Sequence, residues 1–113
     1  MYRTVYAEAG QEPYKGQVAV AQVILNRVKD KRFPNTITGV IYQKHQFEVV
    51  ANNMLYDRTP TDKTKRAVQD ALKGKNIIDD CIGFWAVYLD AGVSLWELDI
   101  KYRIGGHVFT NEY

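Results

Sequence analysis

The run from Gly16 to Lys29 restricts this chain more than any other feature. Its apolar residues, Val18, Ala19, Val20, Ala21, Val23, Ile24, Leu25 and Val28, cover nearly the whole circumference of a helix. A surface helix needs one apolar stripe, whereas a helix apolar all round has to be enclosed by the rest of the fold. The pattern therefore predicts a buried central helix with the other elements wrapped around it. Arg27, Lys29 and Lys31 gather at its end, where cations suit the negative pole of the helix dipole, and Phe33-Pro34 marks the break.

The flanking segments supply what such a helix must be buried against. Tyr2 to Ala9 reads as a short helix with Tyr2, Val5, Tyr6 and Ala9 on one face, Glu8 beside that stripe and Gly10 as its stop. Glu12-Pro13-Tyr14 is a turn in which Pro13 sets the first dihedral of the next helix. Asn35 or Thr36 caps a short helix through Ile37, Val40 and Ile41, and Gln43 to Pro60 shows no sustained period and reads as an irregular lobe. Thr61 opens a further helix with Ala67, Val68, Ala71 and Leu72 on one face and Gly74 just past its end.

After Asp79-Asp80 the period changes. Ile82 to Tyr88 is rich in aromatic and branched residues and reads as a strand. From Trp96 to Ile104 apolar and charged residues alternate, with Trp96, Leu98, Ile100, Tyr102 and Ile104 on one face; Gly105-Gly106 interrupts, and His107, Val108 and Phe109 resume extended. Helices followed by a short antiparallel β-ribbon make an α+β fold, and 113 residues fit one domain spanning residues 1–113.

Several function classes are excluded at this point. A net charge of +2 is too mild for a nucleic-acid protein, though it leaves acidic polymers open as ligands. No stretch approaches 18 apolar residues, so no membrane span is expected, and Met1 to Ala9 lacks the apolar block of a signal peptide. Export would then use another route, or the chain is an excised domain. His45 and His107 show no metal-ligand spacing, and Asp57, Asp62, Asp79 and Asp80 match no calcium loop, so neither metal nor cofactor is expected. Each histidine reads as a surface or hydrogen-bonded core residue. Cys81 is alone, which rules out an intrachain disulfide, and it reads as core.

The polar residues that remain carry the chemical options. A carboxylic acid beside apolar surface tends to keep its proton, the state needed to protonate a leaving oxygen in glycoside cleavage, and Glu8 has that setting. Its alternative is an ordinary helix-edge carboxylate. Glu12 could sit four residues on along the same face, or serve as a cap or an ion-pair partner for Arg27. Gln17, Gln22, Asn26 and Arg27 interrupt the apolar helix and either tie a loop to the core or, for Gln22 and Asn26, face a sugar cleft. Gln46-Phe47-Glu48 combines an amide, an aromatic face and a carboxylate, a mixture suited to sugars, against the alternative of a plain loop with one buried Phe.

Residues 8–20, Glu8-Ala9-Gly10-Gln11-Glu12-Pro13-Tyr14-Lys15-Gly16-Gln17-Val18-Ala19-Val20, resemble the opening motif of the SleB-type, spore-cortex-lytic cell wall hydrolases. Val23 to Val28, Arg32 to Ile37, Gly39 to Gln43 and Gln46-Phe47 follow in the family's order, and Ile104-Gly105-Gly106-His107-Val108-Phe109 is similar to its closing motif. The resemblance covers residues 5–73 and 104–109. It implies a lysozyme-like domain, peptidoglycan glycan strands as the partner, Glu8 as the catalytic residue, and substrate contacts from Glu12, Tyr14, Gln17, Gln46 and Phe47. One well-placed Glu with no convincing second carboxylate suggests lytic transglycosylation, and the resemblance points the same way; a monomer is the default for a polymer-cleaving domain, acting in the cell wall, the spore cortex or outside the cell. The alternatives are a hydrolytic muramidase with Glu12 or Glu48 as second carboxylate, a noncatalytic peptidoglycan-binding module, or a structural protein that borrows the domain.

Two departures stand out. The family has a variable residue and then Gly before the second Glu, whereas here Gly10 comes first and Gln11 takes the glycine position. Either Gln11 adopts a left-handed conformation at a cost of about 1 kcal/mol, or the turn is rebuilt. The stretch Phe84 to Val93 also lacks the Asn-Pro step common in the family.

Overall fold

The computed structural model describes residues 1–43, 59–86 and 99–111. Within them the chain runs through helices α1 (Tyr2–Ala9), α2 (Tyr14–Lys29), α3 (Ile37–Ile41) and α4 (Asp62–Leu72), then strands β1 (Gly83–Ala86), β2 (Ile100–Ile104) and β3 (His107–Thr110). The order is the expected α+β one. The irregular lobe expected between Gln43 and Pro60 lies, for residues 44–58, outside the described residues, as do Tyr88 and the Trp96 to Leu98 part of the alternating stretch.

α2 is the buried centre. Every residue from Gly16 to Ile24 is buried, and α1, α3, α4 and β1 all pack against it. Each Val, Ile or Leu withdrawn from water in this way contributes roughly 1.5–3 kcal/mol before chain entropy is subtracted. The helix stops at Asp30, before the Phe33-Pro34 step, because the Asp30 backbone turns extended while its carboxylate accepts from the Arg32 backbone N–H at 2.9 Å and from the Arg32 guanidinium at 2.9 and 3.0 Å. Those bonds hold the Asp30 carboxyl down at about 2.

Both short helices have the expected caps. Thr36, not Asn35, caps α3, its hydroxyl accepting the Gly39 N–H at 3.0 Å, and Thr61 caps α4 by accepting from Thr64 N at 3.2 Å. α4 closes with Gly74 N–H on Ala71 O and Lys75 N–H on Asp70 O, both 3.0 Å, with Gly74 left-handed. Its buried stripe is Thr64, Ala67, Val68 and Ala71. Leu72, expected on that face, is 52% exposed at the edge of the stripe, where it lines an open trough with Tyr2, Ile41 and Tyr42.

The C-terminal part is a three-stranded antiparallel sheet in the order β1-β3-β2, the short antiparallel ribbon expected after the helices. β3 is central and all four of its residues are buried. Phe84 pairs with Phe109 across β1 and β3, their rings stacked with centroids 6.4 Å apart. β2 is an edge strand, so the stripe of Ile100, Tyr102 and Ile104 is covered less than its alternation implied; Ile100 is 39% exposed, and the register shifts between Ile100 and Tyr102.

The polar residues of α2 anchor the loop that leads into this sheet. Gln22 Oε1 accepts the N–H groups of Ile77 and Ile78 at 2.7 and 3.1 Å, and its Nε2 donates to Asn76 Oδ1 at 2.7 Å and Asp79 O at 2.8 Å. Asn26 Nδ2 donates to Asp79 O and Cys81 O at 2.9 and 2.8 Å; Arg27, buried with its guanidinium over the Phe33 ring, donates to Ile82 O at 2.7 Å. Gln22 and Asn26 thus tie a loop to the core and do not face a cleft, and Arg27 serves that loop instead of pairing with Glu12.

Candidate active site

The site begins where α1 ends. Gly10 donates its N–H to Tyr6 O at 2.7 Å and stays right-handed, with φ −60° and ψ −25°. Its missing side chain matters for space, since a Cβ there would fall 2.8 and 2.9 Å from atoms of the Tyr6 ring. Asp79 is the one non-glycine residue with positive φ among those described, so Gln11 does not take the left-handed conformation. The turn is rebuilt instead, closed by Glu12 N–H on Ala9 O at 2.9 Å.

This turn forms one wall of a cleft of about 460 Å³, made by Tyr6, Ala7, Glu8, Ala9, Gly10, Gln11 and Glu12; Gly106 and His107 form the other. Glu8 is half-buried and lines it. A larger trough of about 690 Å³ lies between the start of α1, α3 and the end of α4, but its lining is mostly apolar, with Arg3 and no carboxylate. Of these two hollows, the smaller is the one with carboxylates, Glu8 and Glu12, among its described lining residues.

Glu12 spans the two walls. Its carbonyl accepts from Gln17 Nε2 at 3.0 Å and Lys63 Nζ at 3.1 Å, which fixes its backbone at the α1–α2 junction. Its carboxylate, 15% exposed, accepts the Gly106 N–H on Oε1 at 2.6 Å. The same oxygen lies 3.1 Å from His107 Nδ1, an ion-pair distance. The His107 ring sits edge-on to Phe84 at 5.6 Å and tilted to Phe109 at 6.3 Å. Burial pushes its imidazole below the ordinary value, against the opposing pull of the Glu12 charge.

The other sequence-derived candidates are placed differently. Gln17 is 0% exposed, accepts the Thr64 hydroxyl and holds the Glu12 carbonyl, so it supports the cleft from behind. Tyr14 turns to α4, its hydroxyl donating to Asp70 and accepting from Lys75 Nζ at 3.1 Å, and it does not line the cleft. His45, Gln46, Phe47 and Glu48 lie outside the described residues. Gly106 and His107 were not singled out as site residues from the sequence. The signal that could have found them is their place in the Ile104–Phe109 segment, where a Gly-Gly turn delivers a histidine straight into an apolar strand.

An α+β domain with a carboxylate in a cleft between its first helix and its sheet is the type of small glycan-cleaving domain exemplified by the lysozyme-like folds. The chain belongs to the Cell Wall Hydrolase family, whose model matches residues 11–110 and so begins just past Glu8. It is 39% identical over 109 residues to a spore cortex-lytic enzyme of Bacillus cereus, covering 96% of this chain and 42% of that protein, and 36% identical over 107 residues to that of Bacillus subtilis, covering 95% and 35%. The chain thus spans less than half the length of these relatives. Among solved structures it superimposes on the catalytic domain of the germination-specific lytic transglycosylase SleB from Bacillus anthracis with a TM-score of 0.86 and 39% identity, covering 97% of this chain and 89% of that one. The catalytic domain of the Bacillus cereus SleB protein gives a TM-score of 0.82 and 40% identity, covering 97% and 85%.

Proposed function

We propose that the chain cleaves the glycan strands of peptidoglycan by lytic transglycosylation, with Glu8 as its one catalytic carboxyl. The observation that carries this reading is the position of Glu8 in the cleft formed by residues 6–12 with Gly106 and His107. Glu8 donates its proton to the glycosidic oxygen as the bond to the muramyl anomeric carbon breaks. The resulting carboxylate then takes the proton of the muramyl 6-hydroxyl as that oxygen closes onto the anomeric carbon, giving a 1,6-anhydro end with no water consumed. Glu12, the other carboxylate among the described residues of the cleft, already accepts the Gly106 N–H, which favours this route over hydrolysis with Glu12 as a second, water-activating carboxylate. The names of the similar proteins support the same substrate.

On this reading residues 1–113 act as one domain and as a monomer, on the cell wall or spore cortex, with no nucleic-acid partner. The test is digestion of purified peptidoglycan by the wild type and by Glu8→Gln, followed by mass spectrometry of the fragments. Anhydromuramyl ends from the wild type alone are expected. Free reducing ends would overturn transglycosylation, and equal digestion by a folded Glu8→Gln would remove Glu8 from its role.

A further inference from the structure

We infer that Glu12 is a positioning residue that holds the Gly106–His107 edge of the cleft against the Glu8 wall; this rests on the reading that Glu8 cleaves peptidoglycan. The two walls are 94 residues apart in sequence, and the bond between Glu12 Oε1 and Gly106 N–H joins them directly at 2.6 Å. A backbone N–H on a carboxylate is among the stronger hydrogen bonds a protein makes. The backbone of Glu12 is held by Ala9, Gln17 and Lys63, so its carboxylate reaches the sheet from a fixed point.

Two further features fit that role. Gly105 is left-handed at φ +57°, and a Cβ on it would fall 2.8 Å from Glu12 Oε2, so the turn is shaped to admit this carboxylate. His107, only 3% exposed, is enclosed by Phe84 and Phe109 from the sheet and faced by Glu12 from the helix junction, the one charged side chain placed against it among the described residues. Glu12 thereby sets the spacing between the wall that carries Glu8 and the wall that confines the sugar.

The test uses the whole chain with Glu12→Ala and Glu12→Gln. It reads kcat and KM separately on soluble peptidoglycan oligosaccharides, alongside the NMR signals of the Gly106 amide and the His107 ring. Glu12→Ala is expected to lower kcat ~100-fold, the scale set by a displacement of about 1 Å in a reacting geometry, with a much smaller change in KM. Glu12→Gln keeps an acceptor oxygen and is expected to recover most of that loss, with a Gly106 amide signal close to wild type. A folded Glu12→Ala with wild-type kcat would overturn the proposal. So would a Glu12→Gln that keeps the wild-type Gly106 amide signal yet is as slow as Glu12→Ala, since the held edge would then not set the rate. If the wild type leaves peptidoglycan intact, it is the functional reading that fails, and the Gly106 and His107 signals still report whether Glu12 fixes this edge.

Discussion

The amide oxygen of Gln22 holds the backbone N–H of Ile77 at 2.7 Å across 55 residues of sequence, and shares its other lone pair with Ile78 at 3.1 Å. A polar side chain in the middle of the most apolar helix is thus the anchor of the loop entering the sheet. Gln22→Leu keeps much of the volume but leaves both N–H groups unpaired, that of Ile78 buried and that of Ile77 part-buried. Each such group costs about 1–3 kcal/mol, so urea denaturation should show a loss of about 2–3 kcal/mol. A variant as stable as the wild type would mean that water replaces the lost oxygen.

Gly10→Ala tests the rebuilt turn. The added methyl would press first on the Tyr6 carbonyl oxygen and then meet the Tyr6 ring at 2.8 Å, and Tyr6 also lines the cleft beside Glu8. Forcing one carbon into such a contact costs about 1–3 kcal/mol. Peptidoglycan turbidity assays should show reduced activity together with a lowered thermal midpoint. Unchanged activity at a lowered midpoint would show that the Tyr6 side of the cleft yields without disturbing Glu8.

Burial and the neighbouring Asp80 and Asp79 push the Cys81 thiol up to about 11 from 9.0. Its neutral form is favoured in the folded state, so the stability it contributes is complete below pH 9 and is lost as pH rises towards about 11. The thiol should resist alkylation at pH 8 until denaturant is added. Denaturation midpoints should fall less steeply between pH 9 and 11 in Cys81→Ala than in the wild type. Parallel profiles for the two proteins would remove Cys81 as the source.

Thr61→Ala removes the hydroxyl that accepts the Thr64 N–H at the start of α4. Loss of such a cap costs about 1 kcal/mol. Hydrogen exchange should quicken in the first turn of α4 more than in α2, which has no side-chain cap to lose. Uniform quickening would indicate that α4 opens only with the whole fold.

How far the sequence could be read depended on the range of the interaction concerned. α2 was plain because an all-round apolar helix has one physical solution, and Thr61 and Gly74 were plain because a cap and a left-handed stop act within a turn of the helix. Leu72 and the Ile100 stripe were harder, since periodicity records which residues share a face but not whether a neighbour covers that face. The three extended segments were plain from their residues, but the central place of β3 was not, because its pairing with β1 joins distant segments. Gln17 illustrates the same limit at the site: its type and neighbours suit a sugar contact, while its burial depends on Thr64, 47 residues away. Glu12 and Gly106 meet across 94 residues, and no local pattern encodes that distance. The family resemblance reached both ends of that bond without indicating that they touch.

β3 comes last of the described strands in sequence and stands in the middle of the sheet. As the chain leaves the ribosome, β1 and β2 therefore emerge before β3, their hydrogen-bonding neighbour among the described strands. The helical portion can gather around α2 much earlier, but it then carries an open ledge in place of a cleft. A nascent chain of this kind exposes its acidic residue to water without confining a sugar beside it. Catalytic competence, on the proposed reading, is thus deferred until β3 has followed, well after α1 and its Glu8 have emerged.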